Sequence, residues 1–174
     1  MTISDLKNRT PKCIKGLKTE VVKIELPSKW NTGDDFVTRR LFCQCEKSDL
    51  ILKSSFIRIK KGLFKKREKM EFLAPILVHC RNCGFEQVIF DPRIHGYNGE
   101  FGDNSSRIGD NKPILISDKM GEIYVNYSFQ GMQNYLDLME DGIQYVEDYF
   151  DTFQVYFLEE GKTQLNQIVS YECT

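Results

Sequence analysis

The fold is decided by two short cysteine-containing stretches, Cys43-Gln44-Cys45 and Cys80-Arg81-Asn82-Cys83-Gly84. Thiolates supplied as two close pairs suit a zinc ion, which prefers four ligands in a tetrahedron. We expect each pair to lie in a tight turn, with strands bringing the two turns together. Gly84 can adopt a positive φ just after the last cysteine, whereas no glycine follows Cys45.

These cysteines resemble those of the zinc ribbon superfamily, over residues ~36–90. The resemblance implies a metal held between two β-hairpins, with Cys43, Cys45, Cys80 and Cys83 as its ligands. Four thiolates fill the coordination shell, which predicts a structural rather than a catalytic Zn²⁺. The single residue between Cys43 and Cys45 departs from the usual spacing of two.

Other interpretations of the cysteines stay open. Disulfides are one, although the mixed polar start of the chain predicts no secretory leader and therefore a reducing cytoplasm. Plain reduced thiols are another, and this is how we interpret Cys13 and Cys173. A redox pair normally precedes a helix, and no helix is expected after Cys83. His79 could replace a cysteine ligand, but neighbouring strand residues point to opposite faces.

Hydrophobic periodicity predicts an α+β protein that is mostly antiparallel β, with one helix. Pro75 predicts an edge position or a bulge. Residues 1–16 are expected to be a loose basic leader. No stretch is apolar enough for a membrane span. The predicted strands are 17–26, 36–43, 50–59, 71–78, 85–90, 114–116, 123–129, 153–158 and 167–171, and the predicted helix is 132–151.

The charge distribution divides the chain. Residues 1–87 hold 19 Lys and Arg against 10 Asp and Glu, whereas residues 88–174 hold 5 against 15. We predict a basic β-rich region at 1–90, a glycine-rich connection at 91–112 and an acidic α+β region at 113–174, which could pack as one domain. The asymmetry either attracts a charged partner or lets the two halves face each other.

The predicted helix 132–151 contains no lysine or arginine. Leu136, Met139, Ile143, Val146 and Phe150 form its apolar stripe. Like charges four residues apart destabilise a helix, so the acidic face either meets a basic partner or is simply solvated. The candidate partner-binding residues are Asp137, Glu140, Asp141, Glu147, Asp148 and Asp151.

Two further segments carry candidate functions. Arg58 to Lys69 combines basic and aromatic residues, a pattern that suits nucleic acid and is also typical of a solvated hairpin tip. In the glycine-rich connection, His95 could act as a base oriented by Glu100 or Asp103. No other motif supports catalysis, so we expect a protein that is not an enzyme.

The run from Asp91 to Glu100, following the cysteine turn, resembles small bacterial proteins, some of which act as immunity partners of polymorphic toxins. This resemblance implies a stoichiometric inhibitor. Our leading hypothesis is therefore a cytoplasmic, zinc-containing immunity protein whose acidic surface covers a basic toxin or nuclease domain. A nucleic-acid-binding zinc ribbon is the alternative, and no membrane partner is expected.

Overall fold

A computed structural model describes residues 2–27, 33, 35–47, 49–60, 68–90, 114–115, 120–129, 136–137, 140–141 and 150–172. Strands dominate these residues, in agreement with the predicted mostly antiparallel β class. The elements are helix α1 (Ile3–Asn8), a 3₁₀ helix (Lys12–Ile14), β1 (Lys18–Val21), β2 (Val37–Phe42), β3 (Leu50–Lys60), β4 (Glu68–Cys80), β5 (Glu86–Phe90), β6 (Ile114–Leu115), β7 (Gly121–Phe129), β8 (Phe150–Glu159) and β9 (Asn166–Glu172).

The strands form two sheets in which every described pairing is antiparallel. Sheet A has the order β1-β2-β7-β8-β9, and sheet B has the order β5-β4-β3-β6. Because β2 pairs with β7, sheet A combines strands from the basic and the acidic regions of the chain. The connection from β2 to β3 therefore leaves one sheet and enters the other.

One hydrophobic core lies between the sheets. Alternate residues of β7, including Ile123, Val125 and Tyr127, are buried in it, as the two-residue period of a strand requires. The ring of Phe90 in sheet B stacks on that of Phe153 in sheet A, with 4.7 Å between the centroids. Burial of such large apolar side chains is the main contribution to the stability of the fold.

The opposite face of sheet A carries a polar ladder across four strands. Thr38 Oγ1 donates to Asn126 Oδ1 at 3.1 Å, and Asn126 Nδ2 donates to Gln154 Oε1 at 3.1 Å. Gln154 Nε2 then donates to Ser170 Oγ at 3.0 Å, while the Tyr156 hydroxyl donates to Gln154 Oε1 at 2.8 Å. The two buried amides thus receive the partners that burial of polar groups requires.

The N-terminal segment is ordered, so the expectation of a loose leader over residues 1–16 is wrong. Thr2 and Asp5 form a reciprocal capping box at the start of α1, a motif that can be recognised in a sequence. Leu6 and Ile14 are fully buried in the core between the sheets. Burial of these two side chains offsets the entropy lost when a short segment becomes ordered.

Arg39, in the middle of β2, fixes α1 in place. Its guanidinium is buried, with 4% of the residue exposed. It donates to the Tyr127 hydroxyl at 2.8 Å and to Thr19 Oγ1 at 3.2 Å. It also donates to backbone carbonyls at the end of α1, with distances of 3.0 Å to Asn8 and 3.3 Å to Arg9. A cation at this position satisfies carbonyls that the helix leaves unpaired.

Pro75 lies at a bulge, one of its two predicted settings. Leu73 is opposite Ser55 and Ile76 is opposite Ser54, so two residues of β4 have no counterpart on β3. The strand is central in sheet B, between β5 and β3. A bulge is the place where a central strand accepts a residue without an amide hydrogen.

The predicted helix 132–151 is wrong at its C-terminal end. Phe150 and Asp151 belong to β8, where Phe150 pairs with Phe129 and is buried. The apolar residues keep a helical spacing as far as Phe150, which is why the prediction extended the helix to this point. Pairing with β7 instead makes Phe150 the first residue of a strand. Farther back, the Asp141 amide donates to the Asp137 carbonyl at 3.0 Å, which is a helical turn, and Leu136 is buried as its stripe predicts.

Candidate metal centre

Each cysteine pair occupies a turn at the end of a core strand. Cys43 follows β2 directly, and Cys45 lies in the turn that leads to β3. Cys80 is the last residue of β4, and Cys83 lies in the turn before β5. The second pair is thus in a hairpin, as predicted. The first pair is not, because β2 pairs with β1 and β7 and its turn crosses between the sheets.

The two turns bring the four predicted ligands together. All four Sγ atoms lie within 4.8 Å of one another. Cys43 Sγ is 3.4 Å from Cys83 Sγ, and Cys45 Sγ is 3.7 Å from Cys80 Sγ. A Zn–S bond of ~2.3 Å in a tetrahedron places ligand sulfurs about 3.8 Å apart. The donor set and its spacing therefore fit a zinc ion.

The backbone of the two turns follows a common plan. The Glu46 amide donates to the Cys43 carbonyl at 3.1 Å, and the Gly84 amide donates to the Cys80 carbonyl at 2.9 Å. Gly84 has φ +76°, which confirms the positive φ predicted for it, and Glu46 has φ +64°. Glu46 thus adopts, at some cost, the left-handed conformation that glycine would take more easily.

Contacts between the turns complete the site. The Arg81 amide donates to the Asp49 carbonyl at 3.0 Å. Asn82 Nδ2 donates to Cys45 Sγ at 3.5 Å, a hydrogen bond to sulfur that sequence reasoning did not find. The Lys18 ammonium pairs with the Glu46 carboxylate and so attaches β1 to the first turn. Asn82 lies between the predicted ligands Cys80 and Cys83, and this position in the sequence could have indicated a contact with the site.

The environments of Cys43 and Cys45 differ sharply. Burial, followed by hydrogen bonds with neighbouring thiols, raises the pKa of Cys43 to about 12. A hydrogen bond with the Lys47 backbone, with further contributions from Asn82 and the adjacent cysteines, lowers the pKa of Cys45 to about 6. Without metal, the site therefore holds a thiolate at Cys45 beside protonated Cys43. Zinc binding must displace protons, so the affinity for zinc falls as the pH falls.

This difference predicts selective alkylation of the metal-free protein. With limiting iodoacetamide, we expect Cys45 to react first, at a rate that rises as the pH passes through about 6, because the thiolate is the nucleophile. Cys43 should react slowly at any pH below 9. Fragmentation of the peptide that contains both cysteines measures the two rates. A common midpoint near the usual thiol pKa would contradict the prediction.

The other candidate ligands lie outside the cluster. His79 Nδ1 is 3.1 Å from Glu86 Oε2. In the described part of the chain, the cluster of side chains close enough to share a metal ion consists of four cysteines and contains no histidine. The pKa of Glu86 is lowered chiefly by its hydrogen bond with Lys53 and also by His79. Cys13 is a buried cysteine that forms no disulfide and lies outside the cluster, and Cys173 lies outside the described residues.

The predicted partner-binding residues are described in part. Asp137, Glu140 and Asp141 are exposed. Asp151 is half-buried in β8, so it does not belong to the helical face on which it was predicted. Glu147 and Asp148 lie outside the described residues.

Several other predicted features also fall wholly or partly outside the description. His95, Glu100 and Asp103 lie in the glycine-rich connection 91–112, none of which is described. The basic segment Arg58–Lys69 is described only at its ends, where Lys60 of β3 pairs with Glu68 of β4, and residues 61–67 lie outside the described residues.

Comparison with known proteins leaves the family open. No protein-family model, no curated protein and no solved structure matches the chain. The zinc ribbon and immunity-protein resemblances therefore remain predictions. In the described part of the chain, every helix is too short or too polar to cross a membrane.

Proposed function

We propose that this protein is a non-enzymatic, zinc-containing binding module in which Cys43, Cys45, Cys80 and Cys83 hold a structural Zn²⁺. The observation that carries the proposal is the approach of four sulfur atoms, within 4.8 Å, from the crossover between the two sheets and from the β4–β5 turn of sheet B. When bound, zinc would fasten the crossover after β2 to the β4–β5 hairpin. In this way one ion would support both sheets.

The chemistry of the cluster supports a structural role. A catalytic zinc keeps a coordination position open for water or substrate, whereas four thiolates complete the tetrahedron. Cys43 and Cys80 are 1% and 0% exposed, so half of the ligand set is sealed from solvent. We therefore propose that the protein acts by binding a partner and does not catalyse a reaction.

We further propose that the partner is a basic protein, and that the module is a cytoplasmic bacterial immunity protein that neutralises a toxin or nuclease domain. The support is the acidic surface, defined here as Asp137, Glu140 and Asp141, which are all exposed. The segment 132–151 around them contains no cation. Complementary charge of this kind accelerates association and increases specificity.

The test is a measurement of association rates with a basic toxin domain encoded beside this gene. The variant Asp137→Asn/Glu140→Gln/Asp141→Asn should slow association about tenfold at low salt, and less at high salt. The matched control Glu20→Gln/Asp35→Asn/Glu25→Gln removes the same charge from exposed residues elsewhere. Equal rates for the two variants would refute the acidic surface as the binding site.

A second candidate is nucleic-acid binding, and the shape of the β3–β4 hairpin favours it. β6 pairs with β3 only at Lys53 and Ser54, and β5 pairs with β4 only from Ile76 onward. Residues 55–60 and 68–73 thus pair only with each other among the described strands. The described ends of the basic segment Arg58–Lys69 belong to these parts of β3 and β4. This candidate predicts retardation of single-stranded nucleic acid that weakens steeply with salt, and no retardation at low salt would exclude it.

A further inference from the structure

The four sulfur atoms differ in their access to solvent. Cys43 and Cys80 are buried, Cys45 is half-buried and Cys83 is exposed. Two contacts each join a buried sulfur to a more accessible one on the opposite turn, namely Cys43 to Cys83 at 3.4 Å and Cys45 to Cys80 at 3.7 Å. A solvent-accessible cysteine next to a second thiol is the arrangement found at redox-sensing cysteines.

We propose that the cysteine site is sensitive to peroxide, and that oxidation forms the disulfides Cys43–Cys83 and Cys45–Cys80 and expels the metal. The loss of metal rests on the zinc site proposed above, whereas the pairing of the sulfurs rests on their positions alone. Both disulfides join the turn after β2 to the β4–β5 turn. The covalent links therefore replace the metal between the same two turns, and the protein keeps its fold after oxidation.

The chemistry balances with hydrogen peroxide as the oxidant. The Cys83 thiolate attacks one peroxide oxygen, the O–O bond breaks, and hydroxide leaves to give a sulfenic acid at Cys83. The Cys43 thiol then attacks the Cys83 sulfur and gives up its proton to the departing oxygen, so the S–O bond breaks and water leaves as the disulfide forms. Two electrons pass from the pair of cysteines to one peroxide. A second peroxide oxidises Cys45 and Cys80 in the same way.

The competing product would be a disulfide within each turn. Cys80 and Cys83 are close in sequence, and Cys-X-X-Cys pairs commonly form such a bond. In this protein the Gly84 amide fixes their turn by donating to the Cys80 carbonyl at 2.9 Å, while Cys83 Sγ lies 3.4 Å from Cys43 Sγ and Cys80 Sγ lies 3.7 Å from Cys45 Sγ on the other turn. Pairing across the turns is therefore the expected product.

Tryptic mapping separates these products because Arg81 lies between Cys80 and Cys83. Cleavage yields peptides 41–47, 70–81 and 82–93, of which the first contains both Cys43 and Cys45. The zinc-loaded full-length protein is treated with hydrogen peroxide, its free thiols are blocked, and the digest is analysed without reduction. We expect all three peptides to remain linked, and fragmentation within 41–47 to assign Cys43 to Cys83.

Zinc released to a colorimetric chelator and the thermal unfolding curve are recorded alongside. We expect complete release of zinc, retention of a cooperative transition, and reversal by dithiothreitol in the presence of zinc. Peptides 70–81 and 82–93 linked without 41–47, or intact zinc binding after peroxide, would overturn the proposal. A failure of the zinc site itself is recognised separately, because metal analysis before oxidation would then find no zinc.

Discussion

Replacement of Cys80 by alanine should cost the protein its metal and much of its stability. The Cys80 sulfur is fully buried and belongs to a cluster that joins two sheets. A ligand that binds only the folded state stabilises it by about 4 kcal/mol when present at 1,000 times its Kd. Because this is a large part of a typical free energy of unfolding, we expect Cys80→Ala to be partly unfolded at room temperature.

Cys13→Ala is the matched control. Cys13 is also buried, with 5% of the residue exposed, but its thiol lies outside the cluster. Its replacement should cost only about 1 kcal/mol, with zinc still bound. Metal content and urea denaturation measure both variants, and a chelator added to the unmodified protein should reproduce the loss seen with Cys80→Ala. Equal losses for the two variants, with zinc retained in each, would exclude a structural metal.

The second large effect is expected at Arg39. Arg39→Met removes the donor shared by the Tyr127 hydroxyl and the carbonyls of Asn8 and Arg9. Buried polar groups that lose their partners cost about 1–3 kcal/mol each, so we expect a loss of about 3 kcal/mol or more. Hydrogen exchange should also accelerate in α1, because the guanidinium attaches this helix to sheet A.

The adjacent Arg40 supplies the control for this prediction. It lies on the other face of β2, pairs with the Glu122 carboxylate and stacks over the Phe42 ring, and 30% of its side chain is exposed. Exposed ion pairs contribute about 0–1 kcal/mol, so Arg40→Met should cost much less and leave exchange in α1 unchanged. Urea denaturation and mass-detected exchange make the comparison. Similar losses in the free energy of unfolding for both variants would mean that the buried hydrogen bonds of Arg39 make no specific contribution to stability.

Local sequence patterns predicted most of the strands and all four members of the cysteine cluster. Alternation along 36–43 and 123–129 reflects burial on one side of a sheet, which is a local property of the chain. Close pairs of cysteines likewise belong to single turns. The positive φ of Gly84 and the bulge at Pro75 followed from the chemistry of individual residues.

Features that depend on distant partners could not be predicted in this way. The pairing of β2 with β7, rather than with β3, makes the first cysteine turn a crossover between sheets, and no local pattern around Cys43 encodes it. The ordered N-terminus depends on Arg39, which lies 31 residues beyond Asn8, the residue whose carbonyl it binds. Phe150 continued a helical spacing, yet its place is set by Phe129 in the neighbouring strand.

The pairing of β2 with β7 also constrains how the chain can fold during synthesis. Val37 meets Tyr127 across this ladder, so sheet A cannot close until most of the polypeptide has left the ribosome. The β3–β4–β5 meander joins neighbouring segments and can form earlier, since short loops close at a lower entropic cost. Until β7 emerges, the backbone hydrogen-bonding groups on one edge of β2 have no partner strand. We expect the nascent protein to be most prone to aggregation during this interval.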